Sequence, residues 1–415
     1  IQGVVGEQRH LQLDSTLHTQ PAVCQAVPLH VPRRLLLGPG LALIWAMSIY
    51  KRQSGLSTPP HCTNHECAGF RPGNPDWSYI KYGQFLRKSP PYIVQKYRCK
   101  CCGRVFSDQS FKVTYWLKKP HLLNYVMRMV VSGSSNSQIA RVLRTSPATV
   151  DNLIARLGRH CVIYLRHMLL KAPPFVNIAI DGLVSFEWSQ YSPYEILVAV
   201  DRRTSFIIHM AVAQKRRSGS MTDEQKAKRA EIEARLGRPD TKATMKATVE
   251  VLKEALRNSP QATVWSDKHK TYPFAIRRIK SCVVAHKRVS SKVPRHTWNP
   301  LYEVNMTDML IRHCLKDHTR ETIAFGKRCQ HSIYRFAIYM VWRNFIKLRR
   351  ERRCKETPAM LLGLTDRVLR EEDILEARLF PQHAELTQMW DDYYWRRIKT
   401  RQLAVNRGHE LKYAF

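Results

Sequence analysis

The chain has 415 residues, 44% of them hydrophobic, and carries 68 Lys plus Arg against 33 Asp plus Glu, a formal net charge of +35. The length and hydrophobic fraction suit two or three compact domains and exclude wholesale disorder. The cations are spread along the whole chain, and self-repulsion on this scale is tolerable when the partner is a polyanion, most commonly DNA or RNA. A ribosomal-type or membrane-surface protein is the competing reading of the same numbers.

Residues 1–57 read as a disordered leader or non-native upstream sequence. The apolar stretch Leu35–Trp45 is too short to span a bilayer. Arg33 and Arg34 precede it as they would in a signal peptide, yet the chain starts at Ile1 and its first methionine is Met47. Residues 58–115 are rich in Cys, Gly, Pro and aromatics, the composition of a small metal-stapled module. From 118 to 171 the pattern is helical and basic, and Pro173 and Pro174 mark a boundary. Three apolar, β-branched runs follow at 175–181, 194–201 and 205–212, with gaps short enough for an antiparallel meander. A charged stretch, 215–240, reads as a solvent-facing helical insertion. Thr244 to Arg257 predicts an amphipathic helix, 262–267 a fourth strand, 282–286 a short fifth, and 301–353 cation-rich helices. A basic, aromatic helical tail occupies 351–415. Over 175–350 this is the element order of an α/β ribonuclease-H-like fold, a mixed five-stranded sheet with helices.

Eleven cysteines raise the question of disulfides, but four fall in a metal-like cluster and the rest are scattered singly, which points to a reducing, intracellular compartment. Cys62 and Cys67 have four residues between them, Cys99 and Cys102 have two, and 31 residues separate the pairs. Two such pairs can complete a tetrahedral, structural Zn²⁺ site with no position left for water. Gly103, directly after the last ligand, permits a turn that aims backbone amides at sulfur. Cys101 is a possible substitute ligand, and His61 and His65 compete for the first pair.

Residues 136–157 pair an apolar face of Ile139, Ala140 and Leu143 with one of Val150, Leu153 and Ile154. Between them Arg144-Thr145-Ser146-Pro147 reads as a turn, with Ser146 as N-cap and Pro147 at the first helical position. This is the pattern of a helix-turn-helix whose second helix, about 147–157, enters a major groove. Thr149 and Asn152 would face bases; Arg156, Arg159 and Arg166 would contact phosphates. The plain alternative is a helical hairpin in a core.

Asp181 and Asp267 each end an apolar strand, a poor place for a charge without a partner. Two acids on neighbouring strand ends can jointly hold Mg²⁺ (or Mn²⁺). Two such ions about 4 Å apart activate water or a 3′-hydroxyl for phosphodiester chemistry. A third acid is ambiguous. Asn305 and Asp308 are three apart and share a helix face, whereas Glu303 points elsewhere. Asp201 also ends a strand, but DRRT reads as a hairpin turn.

From about Cys62 to Arg349, through RCKCCGRVF, IAIDG, VWSDKHKTY and VNMTDMLIRHCLKDHTRETIAFGKR, the chain resembles bacterial DDE transposases of the insertion-sequence-one family and its relatives. The resemblance implies a ribonuclease-H-like nuclease that cuts and joins DNA with two strand-end aspartates, matched by Asp181 and Asp267, and a helix-borne glutamate. Asn305 stands where that glutamate usually does, a departure that leaves Asp308 as the other candidate. Lys327 matches a basic position that would hold substrate phosphate. The implied protein binds the terminal inverted repeats of its element and target DNA as a homodimer or higher oligomer in the bacterial cytoplasm, not on a membrane. The rival is a catalytically inactive or domesticated DNA-binding derivative.

Overall fold

The computed structural model describes residues 58–398 apart from positions 291, 321 and 377, so the leader over 1–57 and the last part of the tail, 399–415, lie outside it. The cysteine-rich segment forms an antiparallel sheet of β1 (Tyr79–Leu86), β2 (Ile93–Cys99) and β3 (Val105–Ser107). Its small core joins Phe70, Tyr97, Phe106 and Phe111 to Phe380, which comes from far along the chain.

Helices α1 (Leu122–Val131), α2 (Asn136–Val142) and α3 (Pro147–Leu170) follow. The side chain of Ser135 caps α2 in a reciprocal box with Gln138, and Ser146 caps α3 by accepting from the Thr149 amide, with Pro147 in the first turn. The turn falls where the sequence places it. The second helix does not stop near 157, however. Leu157, Cys161, Val162, Ile163 and Leu165 are all buried, because its second half runs through the core against α8 (Cys329–Val341). At the crossing Gly158 meets Tyr334, where an added Cβ would lie 2.3 Å from the Tyr334 Cβ.

The sheet beyond has the order β6-β5-β4-β7-β8, from β4 (Asn177–Phe186), β5 (Pro193–Asp201), β6 (Ile207–Gln214), β7 (Gln261–Ser266) and β8 (Val283–Arg288). The first three pair antiparallel, as their short connections require; β4, β7 and β8 are parallel. Helix α4 (Asp223–Leu236) buries Ile232 alone and is the charged insertion. Helix α5 (Ala243–Ala255) packs on β5 and β6, short α6 (Thr271–Ile276) follows β7, and α7 (Tyr302–Cys314) packs on β4 and β5. The outer edge of β6 is satisfied by side chains: Asn344 bonds both backbone groups of Ile207, Tyr393 Oη accepts from Val212 N, and Trp390 Nε1 donates to Met210 O. One hydrophobic core runs from α1–α3 through the sheet to Trp390 and Tyr394. No described helix is long and apolar enough to cross a membrane.

Candidate active site and cysteine cluster

Asp181 does not end its strand. β4 runs on to Phe186, still paired with β5, but its parallel pairing with β7 covers Asn177↔Thr263 to Ala179↔Trp265. The hairpin with β5 extends the strand past the point where β7 stops. Continuing the same register places Asp181 beside Asp267, the first residue after β7, and parallel neighbours in register share a face. A sheet that opens here exposes two carboxylates to one space.

Helix α7 supplies the third. Val304, Thr307, Ile311 and Cys314 bury one side of it, and the adjacent stripe of Asn305, Asp308 and Arg312 follows the helical spacing. Oδ1 of Asp308 is buried with no hydrogen-bond partner. Burial, then the charge of Asp181, pushes its carboxyl up to about 8 against the opposing pull of Arg312 and Arg295. Asp181 is raised to about 6, again chiefly by burial and then by Asp267 and Glu195, while a hydrogen bond from Gly182 N to its Oδ1 pulls the other way. Asp267 Oδ1 accepts from His269 N. Among the described residues these carboxylates do not form a group with ligand atoms within 4.8 Å of one another.

Glu303 lies elsewhere. It accepts from Ser205 Oγ and pairs with Arg349 Nη2 at 3.3 Å, tying α7 to the β5–β6 hairpin. Asp201 is the cap of that hairpin, accepting from Thr204 N and Oγ1. Three further residues interact electrostatically with these acids, none of them singled out by the sequence. The buried phenol of Tyr272 is raised by burial and then by the charges of Asp181, Asp267, Glu195 and Asp308. Arg295 acts on both Asp181 and Asp308. Glu195, three residues from the register partner of Asp181, occupies the other face of the sheet, bonded by Thr244 Oγ1 and paired with Lys215. Only Tyr272, five residues after Asp267, carried a local signal.

The sulfurs of Cys62, Cys67, Cys99 and Cys102 all lie within 4.8 Å of one another and could hold a metal. Amides of Asn64 and Gly69 donate to Cys62 and Cys67, and Trp77 Nε1 donates to Cys99 at 3.2 Å. Burial opposes charge on Cys99, yet donors from Cys102, Trp77 and Cys101 together bring its thiol down to about 7. Such N–H···S donors suit thiolates shared with a cation. Gly103, at φ +72°, makes the expected turn. Cys101 is exposed and outside the group, and His65 is exposed. The His61 ring packs edge-on among Phe70, Phe111 and Phe380 rather than toward the sulfurs.

The three arginines expected on phosphate are buried. Arg156 donates to the carbonyls of Val113 and Tyr115, Arg166 pairs with Glu254 and donates to Glu385 O, and Arg159 is 5% exposed beside Tyr334. The long helix sinks into the core at just these turns. The exposed cations of the turn are Arg141 and Arg144; Asn152 is exposed and Thr149 half-buried. A cleft of about 1020 Å³ brings Asn152 and Lys327 onto one shared space with Arg141, Asp151 and Arg328.

No protein-family model matches the chain, and no curated protein matches it. Among solved structures it is similar to a chain of the cryo-electron-microscopy structure of simian T-cell lymphotropic virus intasome in complex with PP2A regulatory subunit B56 gamma. That similarity has 12% identity, covers 57% of this chain and 73% of the other, and has a TM-score of 0.23.

Proposed function

We propose that the chain is a DDE-type transposase with a ribonuclease-H-like catalytic domain, which binds the inverted repeats of its element and cleaves and joins DNA with Mg²⁺. The observation that carries this reading is the matched register of Asp181 and Asp267 on parallel neighbours, with the partnerless Oδ1 of Asp308 on the helix beside them. A buried carboxylate oxygen with no hydrogen-bond partner, set beside a second acid, is a donor free to ligate a cation. Asp181, Asp267 and Asp308, with the Asn305 amide on the same helix face, form a hard-oxygen donor set suited to Mg²⁺. When bound, the cations would acidify the attacking water or 3′-hydroxyl and neutralise charge at phosphorus. Arg295 and Lys327 hold phosphate, and Tyr272, kept protonated by its surroundings, offers an O–H donor inside the acidic site.

In this reading the cysteine cluster holds a structural Zn²⁺. The turn between α2 and α3 meets duplex DNA with Asn152 and Thr149 toward bases and Arg141 and Arg144 toward phosphate. The decisive experiment is Mg²⁺-dependent nicking of a duplex built from inverted repeats flanking the gene, abolished in Asp181→Asn. A second reading, an inactive DNA-binding derivative, is favoured by the spread of the three carboxylates beyond single-ion distance. It is the outcome if the duplex is bound with sequence preference and never cut in Mg²⁺ or Mn²⁺.

A further inference from the structure

Past Asp181, β4 ends in a segment whose side chains look wasted. Phe186 is 44% and Trp188 55% exposed, and Trp188 holds a left-handed backbone, φ +63°. A bulky residue there is strained, and such strain persists where the surroundings impose it and function uses it. The surroundings do impose it: Trp188 N donates to Gly326 O at 2.8 Å, and Glu187 Oε1 accepts from Cys329 N at 3.1 Å, clamping the turn to the loop before α8. That loop delivers Phe325 and Lys327. The Lys327 ammonium lies 3.2 Å from the Phe325 ring centroid and 5.5 Å from that of Trp188.

Phe186, Trp188 and Phe325 line a cavity of about 470 Å³ rimmed by Arg312 and Arg320, and Lys327 sits beside it over the Phe325 and Trp188 rings. Its size falls in the range of small-molecule pockets, roughly 300–1,000 Å³. Arg312 is one helical turn from Asp308, and β4 is the strand of Asp181, so the cavity adjoins the carboxylates through both elements. Exposed aromatic faces interleaved with cations on a chain of net charge +35 match one ligand chemistry: a flat base attached to phosphates.

We propose that this cavity is a subsite for one unstacked nucleobase of the DNA strand being processed, stacked on Trp188 with its flanking phosphates on Arg312, Arg320 and Lys327. The proposal rests on the DNA-processing function above and adds that the strand is held locally unpaired. An aromatic side chain under a single base contributes about tenfold or more in affinity, least opposed where the base is already unpaired.

The test uses the full chain with Ca²⁺ in place of Mg²⁺ and three probes: a fully paired DNA duplex, the same duplex with 2-aminopurine as a one-nucleotide bulge, and the bulged RNA counterpart. The bulged DNA should bind about tenfold tighter than the paired DNA and its 2-aminopurine should be quenched. Trp188→Gly, which removes the ring and relieves the backbone, should bring the ratio of the two affinities to about one; Trp188→Phe should retain most of it. Phe186→Ala, expected to lower the ratio, serves if the glycine variant does not fold. Equal binding of bulged and paired DNA, an unchanged ratio in Trp188→Gly, or tighter binding of the RNA bulge would overturn the subsite while leaving DNA binding intact. Failure to bind any DNA probe would overturn both the subsite and the function it rests on.

Discussion

Gly158 and Tyr334 meet where α3 crosses α8 in the core, and a methyl group on residue 158 would come within 2.7 Å of the Tyr334 Cα. On an exposed helix, Gly→Ala gains about 1 kcal/mol. Here the clash is with backbone, which cannot rotate away, and overpacking costs about 1–3 kcal/mol or more. Gly158→Ala should therefore destabilise the whole unit by at least about 2 kcal/mol in urea titration. A neutral or stabilising result would mean that α3 and α8 cross at a greater distance.

The purified protein should carry one zinc per chain, by elemental analysis. Phe380 and His383 pack into the cysteine module, and Arg378 N donates to Phe111 O. Removing the metal by Cys99→Ser should thus increase hydrogen exchange over 378–383 as well as over 61–111. Protection lost in the module alone would show that the late segment docks independently.

Burial separates two kinds of arginine beside the helix-turn-helix. Arg141→Ala should weaken binding to all duplexes evenly and reduce the salt slope by about 1. Arg156→Ala leaves the carbonyls of Val113 and Tyr115 without this donor and should instead lower stability, read as melting temperature, by about 1–3 kcal/mol. Asn152→Ala should narrow the gap between inverted-repeat and random DNA. Equal behaviour of Arg141→Ala and Arg156→Ala in both assays would contradict the division.

Without divalent cations the site works against the fold as pH rises. Asp181 and Asp308 titrate near 6 and 8 in the folded chain against an ordinary 3.8. The folded state therefore binds more protons than the unfolded one between about pH 4 and 8, and stability falls across that window. Each pH unit between the folded and unfolded titration midpoints is worth about 1.4 kcal/mol, so the loss should be on the order of 2 kcal/mol or more. Asp308→Asn should flatten the decline and Mg²⁺ should reverse it, read as urea midpoints at pH 5 and pH 8. Parallel pH profiles for wild type and Asp308→Asn would refute the assignment.

Asp181→Asn and Asp267→Asn should each abolish cleavage with inverted-repeat binding intact or tighter, since each removes a negative charge facing phosphate. If Asp308 is the third ligand, Asp308→Ala is inactive and Asn305→Ala merely weak; the reverse order would assign Asn305. Glu303→Ala should destabilise the β5–β6 hairpin contact without a specific loss of cleavage. Loss of cleavage in a fully folded Glu303→Ala would place the active face of α7 elsewhere.

The sequence by itself determined what depends on near neighbours. Apolar run length and β-branching set the five strands of the larger sheet, Ser146 with Pro147 set the start of α3, and short spacing within each cysteine pair set the cysteine cluster. The capping bonds and the cysteine turns are closed within a few residues, so their chemistry is written locally. The tertiary structure alone decided what depends on who covers whom. Arg156, Arg159 and Arg166 look like any basic helix face until Val113, Glu385 and Tyr334 close over them. Asp181 reads as a strand end because the pairing that extends β4 comes from β5, whose length past it has no signature in β4. Glu303, Asn305 and Asp308 differ by fractions of a turn, and only the packing of Val304, Thr307 and Ile311 against the sheet turns Asp308 toward Asp181 and leaves Glu303 to Arg349. Nor could spacing announce that Phe380 completes a core begun at Phe70, since burial is a property of the assembled surface and not of the stretch of chain that supplies it.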